Sequence, residues 1–317
     1  MISLSRTPLA RTGAIMAASC ALASVLAFTP SGSTAQETQN TAQPAPPPPP
    51  AGSVGGMGDV NLFPKRVVLN GRREIASIGL YNKTTNDGDY EIKIVDMAMT
   101  ADGRVVQFAN IADETMKARV KTASGLLRHS PRRVALRGSE SQLVRVMARV
   151  PAEVPDGEYR SHFVVSSVPQ AAGGFSIENA SGQVDENSIA VSIRPRFGIS
   201  IPVIVRIGAT TLQTGIINPS VITEADGSKA IAFTLTRAGT RSAYGNVVIT
   251  ARGSSEPVAI AKGIGVYPEV DSRDVAIAVN PEIDPALVAS GARLKIEFVD
   301  DDFEPGTTLA AQEFVVP

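Results

Sequence analysis

The sequence has few residues of the kinds on which enzymes and metal proteins often depend. It contains one cysteine, Cys20, and two histidines, His129 and His162. Zinc sites of the common kinds need several cysteine or histidine ligands. A nucleophile–base–acid triad needs a histidine close to a serine and a carboxylate, and no companion motif accompanies either histidine. The sequence therefore predicts no enzyme, no metal site and no cofactor.

The chain also lacks an excess of charge of either sign and any sustained helical period of apolar residues. Its 30 basic and 31 acidic residues give a net charge of −1. Removal of the first 35 residues would take away Arg6 and Arg11 and leave 28 basic residues against 31 acidic ones. A chain with this balance is not expected to bind nucleic acid or an anionic membrane as a bulk polycation.

The first 35 residues read as a signal peptide for export. Arg6 and Arg11 precede an apolar stretch at residues 13–28, and small residues at 33–35 suit a cleavage site. A transmembrane anchor is the alternative, which the short apolar stretch disfavours. Cleavage would remove Cys20, so the exported chain would have no disulfide and would depend on packed cores for its stability. We expect the periplasm as its location.

Residues 36–58 form a segment of low complexity. Five consecutive prolines at 46–50 predict an extended polyproline segment, and four glycines follow by residue 58. A spacer is the favoured interpretation, and a proline-rich ligand for a partner is the alternative.

In two segments in the middle of the chain, apolar and polar residues alternate. This pattern predicts β-strands with one buried and one solvent-exposed face. In the first, residues 144, 146, 148 and 150 are apolar. In the second, Tyr159, Ser161, Phe163 and Val165 lie opposite Arg160, His162 and Val164. Between the two, residues 155–159 resemble the tyrosine corner of immunoglobulin-like sandwiches. Further strands are expected at residues 60–69, 76–80 and 90–94, and a turn at 102–103. This pattern predicts that residues 59–203 form one sandwich domain.

The end of this domain carries an unusually long alternating row. Apolar residues occupy nearly every odd position from Ile189 to Val203, a stretch about 50 Å long when straight. Pro195 lies inside it and cannot donate to a neighbouring strand, so we expect an edge strand there. An exposed apolar edge favours aggregation. The row must therefore be covered within the molecule or used by a partner.

Residues 204–317 predict a second β-sandwich of about seven strands. Asp226 and Gly227 separate two of them and indicate a hairpin. The acidic cluster at residues 300–304 lacks the spaced ligands of a calcium loop, so we interpret it as a solvated turn.

The first domain resembles the periplasmic pilus-assembly chaperones, the PapD-like family. The resemblance is carried by residues 66–71, 80–82, 130–134, 142–146 and 156–160, by Val168-Pro169 and by the long alternating strand. It covers the first domain in order and spacing, whereas the second domain matches in size and β character alone. The Pro/Gly spacer and the absence of cysteines after the predicted signal peptide would make the chain a divergent member.

The resemblance implies an all-β protein of two immunoglobulin-like sandwiches joined at a hinge in a boomerang. It also implies a non-enzymatic role: donation of an edge strand to a pilus or fimbrial subunit whose own sandwich lacks a strand. The donor residues would be Ile189, Val191 and Ile193. Further partners would be an outer-membrane usher and, for the unloaded protein, a second copy of the chain.

The family also binds the subunit's terminal carboxylate with two basic residues. The match of the first strand assigns Arg66 to this pair. The family's second residue, a lysine, has no counterpart here, and Arg196 is the candidate substitute. An exposed strand charge is the alternative interpretation of Arg66, and an ordinary buried strand is that of the apolar row. An exported structural or adhesive sandwich protein is the alternative function.

Overall fold

A computed structural model of the protein describes residues 59–168 and 197–317, and more than half of these residues lie in β-strands. The predicted signal peptide and spacer lie outside the described residues, as do Ile189, Val191, Ile193 and Arg196. Within the described ranges, no helix is long and apolar enough to cross a membrane.

Residues up to Ile207 form the first sandwich. Its elements are β1 (Val60–Phe63), β2 (Val67–Asn70), β3 (Ile75–Asn82), β4 (Gly88–Val95), β5 (Met97–Met99), β6 (Val105–Gln107), α1 (Glu114–Arg119), β7 (Leu127–Ser130), β8 (Arg133–Leu136), β9 (Ser141–Ala148), β10 (Gly157–Val168) and β11 (Gly198–Ile207). One sheet has the order β1-β3-β9-β7 and the other β2-β11-β10-β4-β8, while β5 and β6 form a separate hairpin.

The alternation of β9 is confirmed and shows why this sandwich forms. Val144, Val146 and Ala148 are buried in the core, whereas Leu143 on the opposite face is 66% exposed. The predicted tyrosine corner is confirmed as well: the Tyr159 hydroxyl donates a hydrogen bond of 2.9 Å to the Pro155 carbonyl oxygen. This bond fixes the chain where it enters β10.

The prediction of a single strand at residues 60–69 is wrong, because the chain passes from one sheet to the other within this segment. β1 pairs antiparallel with β3, whereas β2 pairs parallel with β11. The change occurs at Pro64, which has no amide hydrogen to continue a ladder. Val60, Leu62, Val67 and Leu69 are nevertheless all buried in the one core between the two sheets.

The second sandwich has the seven strands expected from the sequence. They are β12 (Leu212–Thr223), β13 (Lys229–Gly239), β14 (Ala243–Ala251), β15 (Pro257–Val266), β16 (Ser272–Ala278), β17 (Arg293–Asp300) and β18 (Thr308–Val315). A three-stranded sheet, β12-β13-β16, packs on a four-stranded one, β15-β14-β17-β18, around a separate apolar core. The hairpin at Asp226-Gly227 is confirmed, and Gly227 has a φ of +85° that favours glycine in the turn.

Candidate functional site

The first feature of the site is a free sheet edge at the start of β11. On one side β11 pairs with β10 along its whole length, from Gly198 to Ile207. On the other side β2 pairs with residues 203–206 alone. Within the described residues, 198–202 therefore have no partner strand on that side, and their outward backbone groups form a template for a further strand.

The side chains along this edge run from solvent into the core. Phe197 is 50% exposed, Ile199 is partly buried against the core, and Ile201 and Val203 are buried within it. A small cavity of about 170 Å³ lies at the outer end, lined by residues that include Val60, Phe197 and Ile199. The described part of the odd-numbered apolar row, from Phe197 to Val203, is thus exposed at its first residue and buried in the core at its last.

The sequence-predicted donor residues precede this edge in the chain and lie outside the described residues. Their roles and that of Arg196, which also lies outside the described residues, stay predictions. Among the predicted site residues, Arg66 is the one that the structure describes.

Arg66 lies directly before β2, and its side chain is 8% exposed because the second sandwich covers it. Its Nη2 donates to Asp302 Oδ2 at 2.7 Å and to Ser242 Oγ at 3.2 Å. Its Nη1 donates to the Tyr267 hydroxyl at 3.3 Å. The guanidinium carbon lies 4.3 Å from the ring centroid of Tyr244, within range of a cation–π interaction.

A second arginine holds the same carboxylate. Arg206 near the end of β11 donates from Nε to Glu158 Oε2 at 2.9 Å and from Nη1 to Asp302 Oδ1 at 3.2 Å, and its Nη2 also pairs with Asp302. Glu158 lies directly opposite it on β10. We call Arg66 and Arg206, closed on Asp302, the arginine clamp.

The clamp is an electrostatically balanced and mostly buried site. Burial opposes the charge of Asp302, but hydrogen bonds and charge from Arg206 and Arg66 outweigh it and hold its pKa below the usual value. Burial likewise opposes the charge of Arg206, yet Asp302 and Glu158 raise the pKa of its guanidinium. The site can therefore hold a carboxylate in its ionised form through charge-assisted bonds to two guanidiniums.

The face of β10 that carries residues 158, 160 and 162 is buried. The prediction that this face of the strand is exposed to solvent is therefore wrong. The second sandwich covers it: Arg160 pairs with Glu269, and its guanidinium carbon lies 3.7 Å from the ring centroid of Tyr267. Beside these groups, Tyr267 packs against Met99 and Ile204. Burial and, after it, the charge of Arg160 lower the pKa of His162 to about 3.

The interpretation of the acidic cluster as a solvated turn is also wrong for two of its members. Asp300 is buried, and its carboxylate accepts hydrogen bonds from the amides of Asp302, Phe303 and Glu304 at 2.8, 3.1 and 3.0 Å. This shapes the turn so that Asp302 faces the arginine clamp. In the described part of the chain, no group of acidic or histidine side chains is placed to hold a metal ion.

Sequence reasoning missed Glu158, Arg206 and Asp302. The available signal was the occurrence of Glu158 and Arg206 in strands that are otherwise rich in apolar residues, since a charge in such a strand usually needs a partner. That signal does not identify the partners of Arg206. The strand register brings Glu158 opposite it, and the packing of the second sandwich brings Asp302 to it.

The chain matches no protein-family model and no curated protein. It is similar to solved structures at low identity. The YadV chaperone is 13% identical, with 81% of this chain and 100% of that chain covered and a TM-score of 0.41.

Two similar structures are complexes. One is the SafA pilin with the SafB chaperone of Salmonella enterica, with 12% identity, 83% of this chain and 99% of that chain covered and a TM-score of 0.38. The other is the CsuC–CsuE complex of a chaperone and a tip adhesion subunit from Acinetobacter baumannii, with 14% identity, 82% and 98% covered and a TM-score of 0.39.

Proposed function

We propose that this protein is a periplasmic chaperone that binds and stabilises pilus or fimbrial subunits. It pairs its free edge with a subunit whose sandwich lacks a strand and binds the subunit's terminal carboxylate through Arg66. The protein performs no catalysis in this role. An outer-membrane usher receives the loaded complex, and the location rests on the signal peptide expected at residues 1–35.

The observation that carries the proposal is that no described strand pairs with β11 at residues 198–202 on the side away from β10. This edge adjoins the alternating row that contains Ile189, Val191 and Ile193. A subunit strand paired along the edge would gain backbone hydrogen bonds, and the odd-numbered apolar side chains would fill its open core. Each side chain that becomes fully buried contributes about 1.5–3 kcal/mol.

Arg66 supports the second part of the proposal because its surroundings already suit a carboxylate. Its guanidinium binds the Asp302 carboxylate, with the Ser242 and Tyr267 hydroxyl groups at its sides. A charged hydrogen bond of this kind contributes about 1.5–3 kcal/mol. A terminal carboxylate would fix the register of the subunit strand along the edge, and Arg196 is the proposed second basic residue.

The test is recovery of a co-expressed pilus subunit that carries an affinity tag. Val191→Glu places a charge in the apolar row, so we expect the subunit to be lost to proteolysis and the chaperone to be absent from the eluate. Ser192→Glu, which introduces the same charge in the other row, is the matched control and should retain binding. Thermal unfolding should be nearly unchanged in both variants.

Equal recovery with Val191→Glu and Ser192→Glu would contradict strand donation. A large loss of thermal stability in Val191→Glu would instead identify the row as an ordinary buried strand. Fractionation of the native envelope tests the alternative function, since a chaperone stays in the soluble periplasm whereas a structural or adhesive subunit is found in a fibre or envelope fraction.

A further inference from the structure

The arginine that is proposed to bind the subunit's carboxylate already binds a carboxylate of the protein itself. We propose that Asp302 is an internal substitute for the client's terminal carboxylate, and that a client must displace the turn that carries Asp302 before Arg66 can bind it. This inference rests on the proposed function and adds a step of regulation to the same site.

The geometry around Asp302 is that of a bound carboxylate ligand. Oδ2 accepts from Arg66 Nη2 at 2.7 Å and also pairs with Arg206, whose Nη1 donates to Oδ1 at 3.2 Å. Both oxygens therefore face guanidinium groups of the first sandwich, although the aspartate belongs to the second. A carboxylate at a chain end presents the same two oxygens and can make the same charge-assisted bonds.

Residues 301–307 have the properties of a displaceable turn. They join β17 to β18 at the surface, and the neighbours of Asp302, Asp301 and Phe303, are exposed. The turn meets the arginines through the Asp302 carboxylate and the Phe303 ring, whose centroid lies 4.2 Å from the guanidinium carbon of Arg241. Its withdrawal would break the hydrogen bond of 3.1 Å from the Asp301 amide to the Tyr244 carbonyl oxygen but would leave the strand pairs of both sandwiches in place.

The site retains unused capacity for an anion. Arg66 Nε and Arg241 Nε are buried and have no hydrogen-bond partner among the described residues. The guanidiniums of Arg66 and Arg206 balance the carboxylates of Glu158 and Asp302. When Asp302 leaves, one positive charge is left without a counterion, which favours entry of another carboxylate.

The exchange makes binding selective for a chain end. An amide or hydroxyl group cannot replace the charge of Asp302 and would leave two buried guanidiniums with a single carboxylate. A carboxylate can replace it, so the closed state excludes segments that lack one. The apparent affinity for the client is reduced by the fraction of time that the clamp is closed.

The experiment measures binding of two synthetic peptides to the full exported chain by fluorescence anisotropy. Both are 15-residue alternating Val/Thr peptides; one ends in a free carboxylate and the other in an amide. We expect Asp302→Asn to bind the carboxylate peptide about tenfold more tightly than the unmodified protein, as for a clamp that is open a tenth of the time. Asp301→Asn removes the same charge from the exposed neighbour and should leave both affinities unchanged.

Hydrogen exchange in the unmodified protein gives a readout that does not depend on how well Asp302→Asn folds. The amides of Asp302, Phe303 and Glu304 are held by Asp300. Their exchange should accelerate when the carboxylate peptide is bound, but not with the amide peptide. Unchanged exchange at saturating carboxylate peptide would overturn the substitution.

Arg66→Ala separates this inference from the proposed function. If Arg66→Ala loses the carboxylate peptide while Asp302→Asn and Asp301→Asn bind it alike, the anchor stands and the internal substitute is refuted. If Arg66→Ala binds both peptides as the unmodified protein does, the anchoring role itself fails.

Discussion

Arg206 is one of the side chains that join the two sandwiches directly. It binds Glu158 within the first sandwich and Asp302 of the second, and all three side chains are less than a tenth exposed. A buried charge network adds little relative to apolar packing, but removal of one member leaves the others without compensation. The consequence is a large penalty for any change that deletes a single charge here.

Arg206→Met should therefore lower the free energy of unfolding by about 3 kcal/mol, because Glu158 stays buried without its partner. Arg119→Met is the control, since Arg119 pairs with Asp271 at a more exposed site and an exposed pair contributes under about 1 kcal/mol. Urea denaturation of both variants measures the difference. Similar losses in the two would contradict the assigned importance of the buried network.

His162 should make stability depend on pH. It lies opposite Val95 and Pro202 on the neighbouring strands, and burial lowers its pKa to about 3. Above about pH 6.5 the imidazole is neutral in both states, whereas below it the unfolded chain binds a proton that the native chain does not. Stability should thus fall as pH decreases, by about 2 kcal/mol at pH 5.

Urea titrations of the unmodified protein and His162→Gln between pH 7 and 5 test this. The variant should lose most of the pH dependence that the unmodified protein shows in this range. An equally steep decline in both would assign the effect to other groups.

At the scale of elements, alternation predicted strands well where one face meets the core and the other meets water. β9 satisfies that condition, and its buried residues, Val144, Val146 and Ala148, are those expected. The prediction for β10 failed on one face because a second sandwich, and not water, covers Arg160 and His162. Periodicity reports which residues are polar, and it cannot report what lies against a polar face.

The tyrosine corner is the element-level feature whose energy is easiest to isolate. Tyr159→Phe removes the hydroxyl that donates to the Pro155 carbonyl and keeps the ring. We expect a loss of about 1 kcal/mol in the free energy of unfolding, the ordinary net value of one hydrogen bond. Chemical denaturation measures it, and an unchanged midpoint would show that the corner is held by packing alone.

The candidate site could be predicted from the sequence in part. Resemblance in the first strand selected Arg66, and the alternation before Val203 selected the edge. Asp302 could not be found in this way, because it is about 236 residues away along the chain and meets Arg66 through the packing of separate sandwiches. A contact of that kind depends on tertiary structure and leaves no local pattern.

At the scale of the molecule, the two sandwiches share a buried interface. Its apolar centre consists of Met99, Ile204 and Tyr267, with Val68 packed against it. Around this centre lie the arginine clamp and the Arg160–Glu269 pair, and the Met99 amide donates to Glu269 Oε1 at 2.7 Å. Since these contacts are buried and mutually supporting, we expect the sandwiches to unfold together.

Tyr267→Ala tests this expectation by scanning calorimetry. The unmodified protein should show one unfolding transition, and the variant should show two, because the ring contacts both the apolar centre and the guanidiniums of Arg66 and Arg160. Ile249→Val creates a small cavity inside the second core. It should lower the free energy of unfolding by about 1 kcal/mol without splitting the transition. A single transition in Tyr267→Ala would locate the coupling elsewhere.

The origin of Asp302 in the second sandwich has a consequence for fragments of the protein. A chain truncated after Ile207 would retain the free edge and both guanidiniums but would lose the carboxylate that occupies them. In such a fragment the site formed by Arg66 and Arg206 would always be open, and any polypeptide carboxylate could bind there. Under the proposed function, discrimination between a client's chain end and other polypeptides would therefore require both halves.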